Sequence, residues 1–285
     1  MAYVSVFGVE HYHEWITESG SSPTGDKPVM VFIHGWGGSC RYWRSTAQAL
    51  SPRFDCLLYD MRGFGRSQIA DSNRDEVLAR GYELDTFADD LAELLNRLGI
   101  QTVWLNSHST GASVAVFFVN QYGDRVNQAI LTCNGIFEYD KKAFEAFYKF
   151  GGYVVGFRPA WLNQIPLAPR IFMSRFLSQS IPPTERVAFL EDYLKADGDI
   201  ALGTVYTAVS KRATEIMPVA FAKLEVPCLL VSGQYDKITP AKLGKAAAAT
   251  NPQMIQYVEI PGTGHFPMLE APTAYMNALD AFLTV

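Results

Sequence analysis

The stretch Val103-Trp-Leu-Asn-Ser-His-Ser-Thr-Gly-Ala-Ser-Val-Ala-Val-Phe-Phe118 decides the fold. Its first part is a short apolar run typical of a buried strand, and its last part has the pattern of a helix. Between them lies Ser107-His-Ser-Thr-Gly111, in which Ser109 is flanked at two residues' distance by small side chains. A serine at a sharp strand-to-helix turn is held in a strained backbone that exposes its hydroxyl group. The neighbours must be small because strand and helix pass closely there. Gly111 meets that demand fully, while Ser107 replaces the more usual glycine.

Strand and helix patterns alternate on both sides of this stretch. Strands are predicted over residues 2–7, 10–16, 29–33, 54–60, 127–133, 227–232 and 254–260. Helices are predicted over residues 41–50, 84–98, 241–249 and 271–283. Alternating elements with continuously apolar strands predict an α/β fold, with a mostly parallel sheet covered by helices on both faces.

One long segment interrupts this alternation. Residues 136–215 contain no strand pattern but many aromatic residues and prolines, which predicts a helical cap over the carboxyl edge of the sheet. The predicted division is a cap of residues 136–215 on a core of residues 1–135 and 216–285. Cap aromatics such as Phe144, Phe147 and Trp161 are candidates for contacting an apolar substrate. A small cap also needs aromatic residues for its own packing, so both interpretations stay open.

Composition excludes several classes of function. The 285 residues carry a net charge of −5 and no basic run, so we expect no nucleic-acid partner. No apolar stretch approaches the roughly 20 residues of a membrane helix, and the first residues lack the plan of a signal peptide. The four cysteines show neither paired nor metal-like spacing. We therefore expect a cytoplasmic protein with no transmembrane segment; the sequence does not indicate its oligomeric state.

Two further loops carry groups that complement a nucleophilic serine. Gly233-Gln-Tyr-Asp236 follows a predicted strand, and Gly264-His265 follows the last one. Because the loops at the carboxyl ends of parallel strands share one edge of the sheet, Ser109, Asp236 and His265 can converge.

A glycine-rich loop, His34-Gly-Trp-Gly-Gly38, follows the strand at residues 29–33. It lacks both the Lys-Ser/Thr ending of a phosphate-binding loop and the glycine spacing of a dinucleotide-binding loop. We interpret it as the loop whose backbone donates an N–H to an oxyanion, from Trp36. The imidazole of His34 is expected to anchor this loop by hydrogen bonds.

The sequence resembles the α/β-hydrolase superfamily over nearly its whole length. The resemblance depends on the His34-Gly35 loop, the segment Asp60-x-Arg-Gly-x-Gly-x-Ser67, the Ser109 turn, the Asp236 loop and the His265 loop. It implies an eight-stranded, mostly parallel sheet with a helical cap.

For individual residues, the resemblance implies a triad of Ser109, His265 and Asp236. His265 would accept the proton of Ser109, and Asp236 would orient the imidazole. The backbone N–H groups of Trp36 and Thr110 would bind the oxyanion. No cofactor and no metal are expected, because the sequence shows no metal cluster and no nucleotide fingerprint.

Other ionisable residues of the sequence are alternative candidates for these roles. His108 is expected to point into the interior and to pack there. Glu138 and Asp140, which follow the strand after Ser109, are a second position for the acid in this fold. The remaining candidates are interpreted structurally: Asp60 and Arg62 as salt-bridging residues that pin a loop, and His11 and His13 as pairing side chains on an edge strand.

A serine nucleophile excludes the haloalkane dehalogenases and epoxide hydrolases of this superfamily, which attack with aspartate. We expect a carboxylic-ester hydrolase acting on a small to medium apolar ester; thioesters, lactones and carbon–carbon bonds stay open as substrates.

Ser107-His-Ser109 and Gly264-His-Phe-Pro267 also resemble segments of cofactor-independent dioxygenases. Those enzymes have an aspartate after the strand that follows the nucleophile turn, where this chain has Cys133-Asn134. A slow-turnover receptor on the same fold is the third alternative.

Overall fold

The computed structural model describes residues 2–20, 22–23, 25–138, 141–208 and 210–284, apart from the side chains at positions 143, 144, 146, 147 and 150. Its strands are β1 (Ala2–Val6), β2 (Val9–Ile16), β3 (Val29–Ile33), β4 (Asp55–Tyr59), β5 (Val103–His108), β6 (Val126–Thr132), β7 (Cys228–Gly233) and β8 (Ile255–Ile260). They form one sheet in the order β1-β2-β4-β3-β5-β6-β7-β8. Only the pairings of β2 with β1 and with β4 are antiparallel. The predicted eight-stranded, mostly parallel sheet is confirmed.

Helices cover both faces of this sheet. They are α1 (Arg44–Leu50), α2 (Arg74–Ala79), α3 (Leu84–Arg97), α4 (Thr110–Tyr122), α5 (Lys141–Gly156), α6 (Ala168–Met173), α7 (Pro183–Lys195), α8 (Gly198–Ala208), α9 (Lys211–Ala222), α10 (Ala241–Thr250), α11 (Pro267–Glu270) and α12 (Pro272–Phe282). The sequence pattern predicted α1, α3, α4, α10 and α12. It missed α2 and α11, which are too short to show a helical period.

Alternate residues of a central strand enter two separate cores. In β3, Val31 and Ile33 pack with the residues buried under α3 and α4, whereas Met30 and Phe32 pack with those under α1 and α12. All four side chains are fully buried. Burying one such side chain stabilises the fold by about 1.5–3 kcal/mol, which is why both faces of the sheet must be covered.

The expectation of an edge strand for His11 and His13 was wrong. Both lie on β2, which pairs on one side with β1 and on the other with β4. Their side chains are buried, and Nδ1 of His11 hydrogen-bonds to the carbonyl oxygen of Asp60 at 3.1 Å. The short β1, which the sequence pattern did not identify as the outermost strand, occupies the edge instead.

Helices α5 to α9 fill the connection between β6 and β7, and the described part of this connection contains no strand. The end of α9 packs under the sheet, since Met217, Ala220 and Phe221 belong to the core that includes α3 and α4. The predicted boundary at residue 215 thus lies inside α9, and the division into core and cap stays a prediction. None of the described helices is long and apolar enough to cross a membrane.

Candidate active site

Ser109 stands at the turn between β5 and α4 in a strained conformation. Its backbone has φ 54° and ψ −121°, a region that residues other than glycine rarely adopt. The turn is stabilised by a hydrogen bond of 2.8 Å from the Ser109 N–H to the carbonyl oxygen of Thr132. A Cβ atom on Gly111 would lie 2.3 Å from the carbonyl oxygen of His34, so only glycine fits there. The small-residue requirement read from the sequence has this steric cause.

The structure brings the side chains of Ser109, His265 and Asp236 into one hydrogen-bonded chain. Nδ1 of His265 lies 2.7 Å from Oδ2 of Asp236. Its Nε2 lies 3.0 Å from Oγ of Ser109. A carboxylate oxygen can only accept, so Nδ1 carries the proton and Nε2 is left as an acceptor for the serine hydroxyl. This arrangement lets the imidazole withdraw the serine proton.

The carboxylate of Asp236 is itself fixed by backbone donors. Its Oδ1 accepts hydrogen bonds from the N–H groups of Ile238 at 2.7 Å and Thr239 at 3.0 Å. The side chain is fully shielded from solvent. Because these two N–H groups hold Oδ1, the carboxylate cannot rotate freely, and Oδ2 stays directed toward His265.

The glycine-rich loop after β3 runs beside the nucleophile turn. His34 accepts a hydrogen bond at Nε2 from the Met61 N–H (2.9 Å), and its Nδ1 lies 2.8 Å from the Gly35 carbonyl oxygen. Burial lowers the pKa of His34. The imidazole therefore anchors the loop as expected.

The two N–H groups predicted to bind an oxyanion belong to residues that adjoin Ser109 along the chain or follow a residue close to it in space. Thr110 is the first residue of α4, where N–H groups have no partner within the helix. Trp36 follows Gly35, and a Cβ on Gly35 would approach that of Ser109 to 3.2 Å. In the part of the chain that the structure describes, neither N–H donates a hydrogen bond to another backbone group. The Trp36 indole donates to the carbonyl oxygen of Ala201 in α8 at 2.8 Å, which fixes the side chain against this helix.

His108 is buried, as expected, but it does more than pack. Its Nε2 lies 2.7 Å from the carbonyl oxygen of His265, so Nε2 carries the proton and donates it. Its Nδ1 then accepts from the hydroxyl of Tyr42 at 3.0 Å. The same hydroxyl accepts from the Gly35 N–H at 2.6 Å. Burial and the neighbouring His265 hold the pKa of His108 well below its usual value, which keeps this ring neutral.

Glu270 has a role that the sequence reading did not identify. Its buried carboxylate accepts hydrogen bonds from the N–H groups of Gly264 (2.9 and 3.0 Å) and Phe266 (3.1 Å), on either side of His265. It also accepts from the N–H of Ser178 at 2.7 Å, in the segment between α6 and α7. The available signal was an acidic residue within the apolar run after His265, because a buried carboxylate must be paired.

The two charged residues near the glycine loop form salt bridges, but not with each other. Asp60 pairs with Arg66 at 2.7 Å and also accepts from the Cys40 N–H at 2.7 Å. Arg62 is buried against Asp90 at 3.2 Å. Neither pair contacts Ser109, which supports the structural interpretation of Asp60 and Arg62.

Two of the remaining candidates, Glu138 and Trp161, are described, and both are exposed. Asp140 together with the side chains of Phe144 and Phe147 lies outside the described residues. Trp161 is 52% exposed and contacts Phe157 edge-on.

Two cavities of about 290 and 70 Å³ lie elsewhere, and neither is lined by the three hydrogen-bonded residues.

One group of metal-type donors lies at the site. Single donor atoms of His108, Cys133 and His265 lie within 4.8 Å of one another. Both ring nitrogens of each histidine already have hydrogen-bond partners. An ion here would have to break these bonds, so the group does not indicate a metal site.

Comparison with known proteins gives a consistent picture. The family model of the alpha/beta hydrolase fold matches residues 28–272. A bifunctional esterase/perhydrolase of Acinetobacter calcoaceticus is 28% identical over 274 residues, covering 89% of this chain and 91% of that enzyme. An esterase of Thermogutta terrifontis superposes with a TM-score of 0.76 at 25% identity, over 99% of this chain and 97% of that one. The enol-lactonase of Burkholderia xenovorans LB400 shares the fold, with a TM-score of 0.78 at 21% identity over 99% and 100% of the two chains.

Proposed function

The chain belongs to the α/β-hydrolase fold family, and on that premise we propose that it is a serine hydrolase that cleaves carboxylic esters through an acyl-enzyme on Ser109. The observation that carries the proposal is the continuous hydrogen-bonded path from Oγ of Ser109 through the ring of His265 to Asp236. A serine hydroxyl is a poor nucleophile at neutral pH, and this path supplies the base that it needs.

In the proposed first half-reaction, Oγ of Ser109 attacks the ester carbonyl carbon while its proton passes to Nε2 of His265. The negative charge that develops on the carbonyl oxygen is stabilised by the N–H groups of Thr110 and Trp36 and by the N-terminal end of α4. His265 then returns the proton to the alkoxide oxygen as the carbon–oxygen bond breaks, and the alcohol leaves.

In the second half-reaction, water attacks the acyl-enzyme and gives its proton to Nε2 of His265. Collapse of the tetrahedral intermediate returns that proton to Ser109 and releases the carboxylic acid. Asp236 stays ionised throughout and stabilises the imidazolium form of His265. The esterase activities named for the Acinetobacter and Thermogutta relatives support an ester as the substrate class.

A p-nitrophenyl ester series with increasing acyl length tests the proposal. We expect turnover with short to medium acyl chains and a loss of about three orders of magnitude or more in Ser109→Ala and His265→Ala. Asp236→Asn and Glu138→Gln form a matched pair of carboxylate replacements: the first is expected to lower kcat strongly and the second to leave it near the wild-type value. Equal turnover by Ser109→Ala and the wild type would contradict the proposal.

The same series separates the alternatives. If one equivalent of ester acylates Ser109 in a burst and no further turnover follows, a slow-turnover receptor would be favoured over a hydrolase. Oxygen consumption with a hydroxyquinolone, in the absence of ester turnover, would favour a dioxygenase.

A further inference from the structure

Large apolar side chains are unevenly distributed over the surface. Of the fourteen that are more than a third exposed in the described part of the chain, nine fall between positions 137 and 171. Seven of them follow one another through α5, the turn after it and α6, and we call them the apolar cap face: Tyr153, Val154, Phe157, Trp161, Ile165, Leu167 and Ile171. Monomeric proteins seldom expose apolar side chains in such a concentrated group, which indicates that something covers this face.

The exposed side chains are not simply unpacked. In the same segment, Val155, Ala168 and Met173 are buried, so α5 and α6 already use their inner sides against the protein. The outer sides carry Phe157 at 66% exposure, Ile171 at 68% and the other members of the apolar cap face at 41 to 66%. The segment is therefore apolar both on the side that packs against the protein and on the side that faces solvent, although only the first is needed for folding.

The charge of the segment differs in sign from that of the whole chain. Residues 141–177 contain six lysines or arginines and one glutamate, a net charge of +5, whereas the chain carries −5 and its remainder therefore −10. Lys149, Arg170 and Arg175 are exposed, and no carboxylate partner for them is found within the described residues. Exposed aromatic and aliphatic residues beside unpaired basic residues fit an anionic lipid surface, where rings enter the headgroup layer and cations meet phosphates.

The base of the cap is held firmly to the core. Arg41, after the glycine-rich loop, pairs with Asp192 of α7 at 2.6 Å. Arg74 of α2 pairs with Asp197 at 2.8 Å, in the turn between α7 and α8. Arg158 joins the end of α5 to this base through the carbonyl oxygen of Ala196 at 2.5 Å. The apolar cap face is thus presented by a fixed support.

The segment that carries this face also leads directly along the chain into a contact with His265. Phe176 follows α6 by three residues, and its carbonyl oxygen accepts a hydrogen bond of 2.7 Å from the His265 N–H. Its ring lies 6.2 Å from the His265 ring. Ile171 of this face therefore lies five residues before a residue that contacts the proposed catalytic histidine directly.

We propose that the apolar cap face docks on the surface of an anionic phospholipid bilayer. Phe157, Trp161 and Ile171 enter the headgroup layer, while Arg170 and Arg175 contact lipid phosphates. The binding is peripheral and reversible, and it does not require the Ser109 chemistry.

Flotation with lipid vesicles tests the docking with the full-length Ser109→Ala protein, so its result is independent of catalysis. Vesicles of phosphatidylcholine with about one third phosphatidylserine should bind the protein, and vesicles of phosphatidylcholine alone should bind at least about tenfold less. High salt should weaken binding to the anionic vesicles without abolishing it, because only the ionic part is screened. Absence of binding to anionic vesicles at low salt would overturn the proposal.

Matched variants locate the contact. Phe157→Ser/Trp161→Ser should lower vesicle binding by about tenfold or more, while Val219→Ser, an equally exposed apolar residue of α9, should leave it unchanged. Arg170→Glu/Arg175→Glu should have a comparable effect. The control Lys242→Glu/Lys245→Glu changes the net charge equally on α10 and should have little effect. Equal losses in the two charge variants would show a response to net charge alone and would contradict docking by this face.

Trp161 supplies a direct signal. The fluorescence of the wild type should shift to shorter wavelength on anionic vesicles, and Trp161→Phe should bind but show no shift. The alternative is that a second copy of the chain covers the face, and sedimentation without lipid tests this. If the wild type is a dimer and Phe157→Ser/Trp161→Ser is a monomer, the face is a dimer interface and the lipid proposal is overturned.

Discussion

The ring of His108 holds the backbone of His265, its Nε2 lying 2.7 Å from the His265 carbonyl oxygen. Through Tyr42 the same ring reaches the Gly35 N–H, next to the proposed oxyanion donor Trp36. One neutral imidazole thus connects the histidine loop, the serine turn and the glycine loop. We therefore infer that His108 is a positioning residue, because the groups that it holds on the other two loops depend on which of its ring nitrogens carries the proton.

Replacing His108 should affect turnover more than binding. In His108→Phe the His265 carbonyl oxygen and the Tyr42 hydroxyl lose a buried partner, which costs about 1–3 kcal/mol of stability. Small displacements of His265 lower the rate, so we expect kcat to fall about 10- to 100-fold with KM nearly unchanged. His108→Gln can supply an N–H toward the carbonyl oxygen and should recover part of kcat. Steady-state kinetics on a p-nitrophenyl ester check this; a purely structural role would give no recovery by glutamine.

Glu270 should be equally important for the position of the His265 loop. The variant Glu270→Gln replaces one oxygen by an NH₂ group that faces backbone N–H donors of Gly264, Phe266 or Ser178. We expect a loss of about 2–3 kcal/mol in the free energy of unfolding, since hydrogen bonds to a charged acceptor are lost. A lower kcat should accompany it. Denaturant titration checks the stability, with Glu259→Gln on the exposed side of β8 as the control. Equal stability of the two variants would contradict this role.

The site residues could be predicted from the sequence where only one type of residue meets a steric or chemical requirement. Gly111 was predictable because strand and helix collide with any Cβ there. Asp236 and His265 were predictable because each follows a strand and lies in a glycine-containing loop. Their convergence needed only the rule that parallel strands end at one edge.

The interactions that were missed depend on backbone groups or on distant partners. The acceptor of His108 is a carbonyl oxygen 157 positions away, and no side-chain pattern marks it. Arg62 pairs with Asp90 rather than with its neighbour Asp60, because the loop after β4 meets α3 only in the folded chain. The position of β2 inside the sheet likewise depends on its pairing with both β1 and β4, which the sequence of β2 alone does not indicate.

The Asp60 carboxylate should make stability depend on pH. Burial raises its pKa, but the hydrogen bonds and charge of Arg66, together with the hydrogen bond from the Cys40 N–H, outweigh burial and leave the pKa lowered from 3.8. An acid with a lowered pKa in the folded state stabilises the fold above its unfolded pKa, and this contribution is lost as pH falls through the folded pKa. Asp60→Asn should therefore destabilise the protein by about 3–5 kcal/mol at neutral pH, because Arg66 loses its partner.

The pH profile distinguishes this mechanism from loss of packing. The difference in unfolding free energy between wild type and Asp60→Asn should stay constant above pH 5 or so and shrink below about pH 4. Urea titrations at several pH values check this. Asp280→Asn removes an exposed partner of Arg53 and serves as the control, with little expected effect at any pH. A difference for Asp60→Asn that stays constant down to the acid limit would contradict the proposed linkage.

Gly111 offers a test of the turn that presents Ser109. In Gly111→Ala the new methyl group would lie 2.3 Å from the His34 carbonyl oxygen and 2.8 Å from that of Ile33, both backbone atoms of β3 and the loop after it. The start of α4 must move away, which we expect to cost about 1–3 kcal/mol and to displace the Ser109 hydroxyl from His265. Turnover should fall with stability, and labelling of Ser109 by a fluorophosphonate should slow in parallel. Gly156→Ala, at a position with open space around it, is the matched control and should change neither property. Wild-type labelling in Gly111→Ala would mean that the close passage of strand and helix does not set the position of the nucleophile.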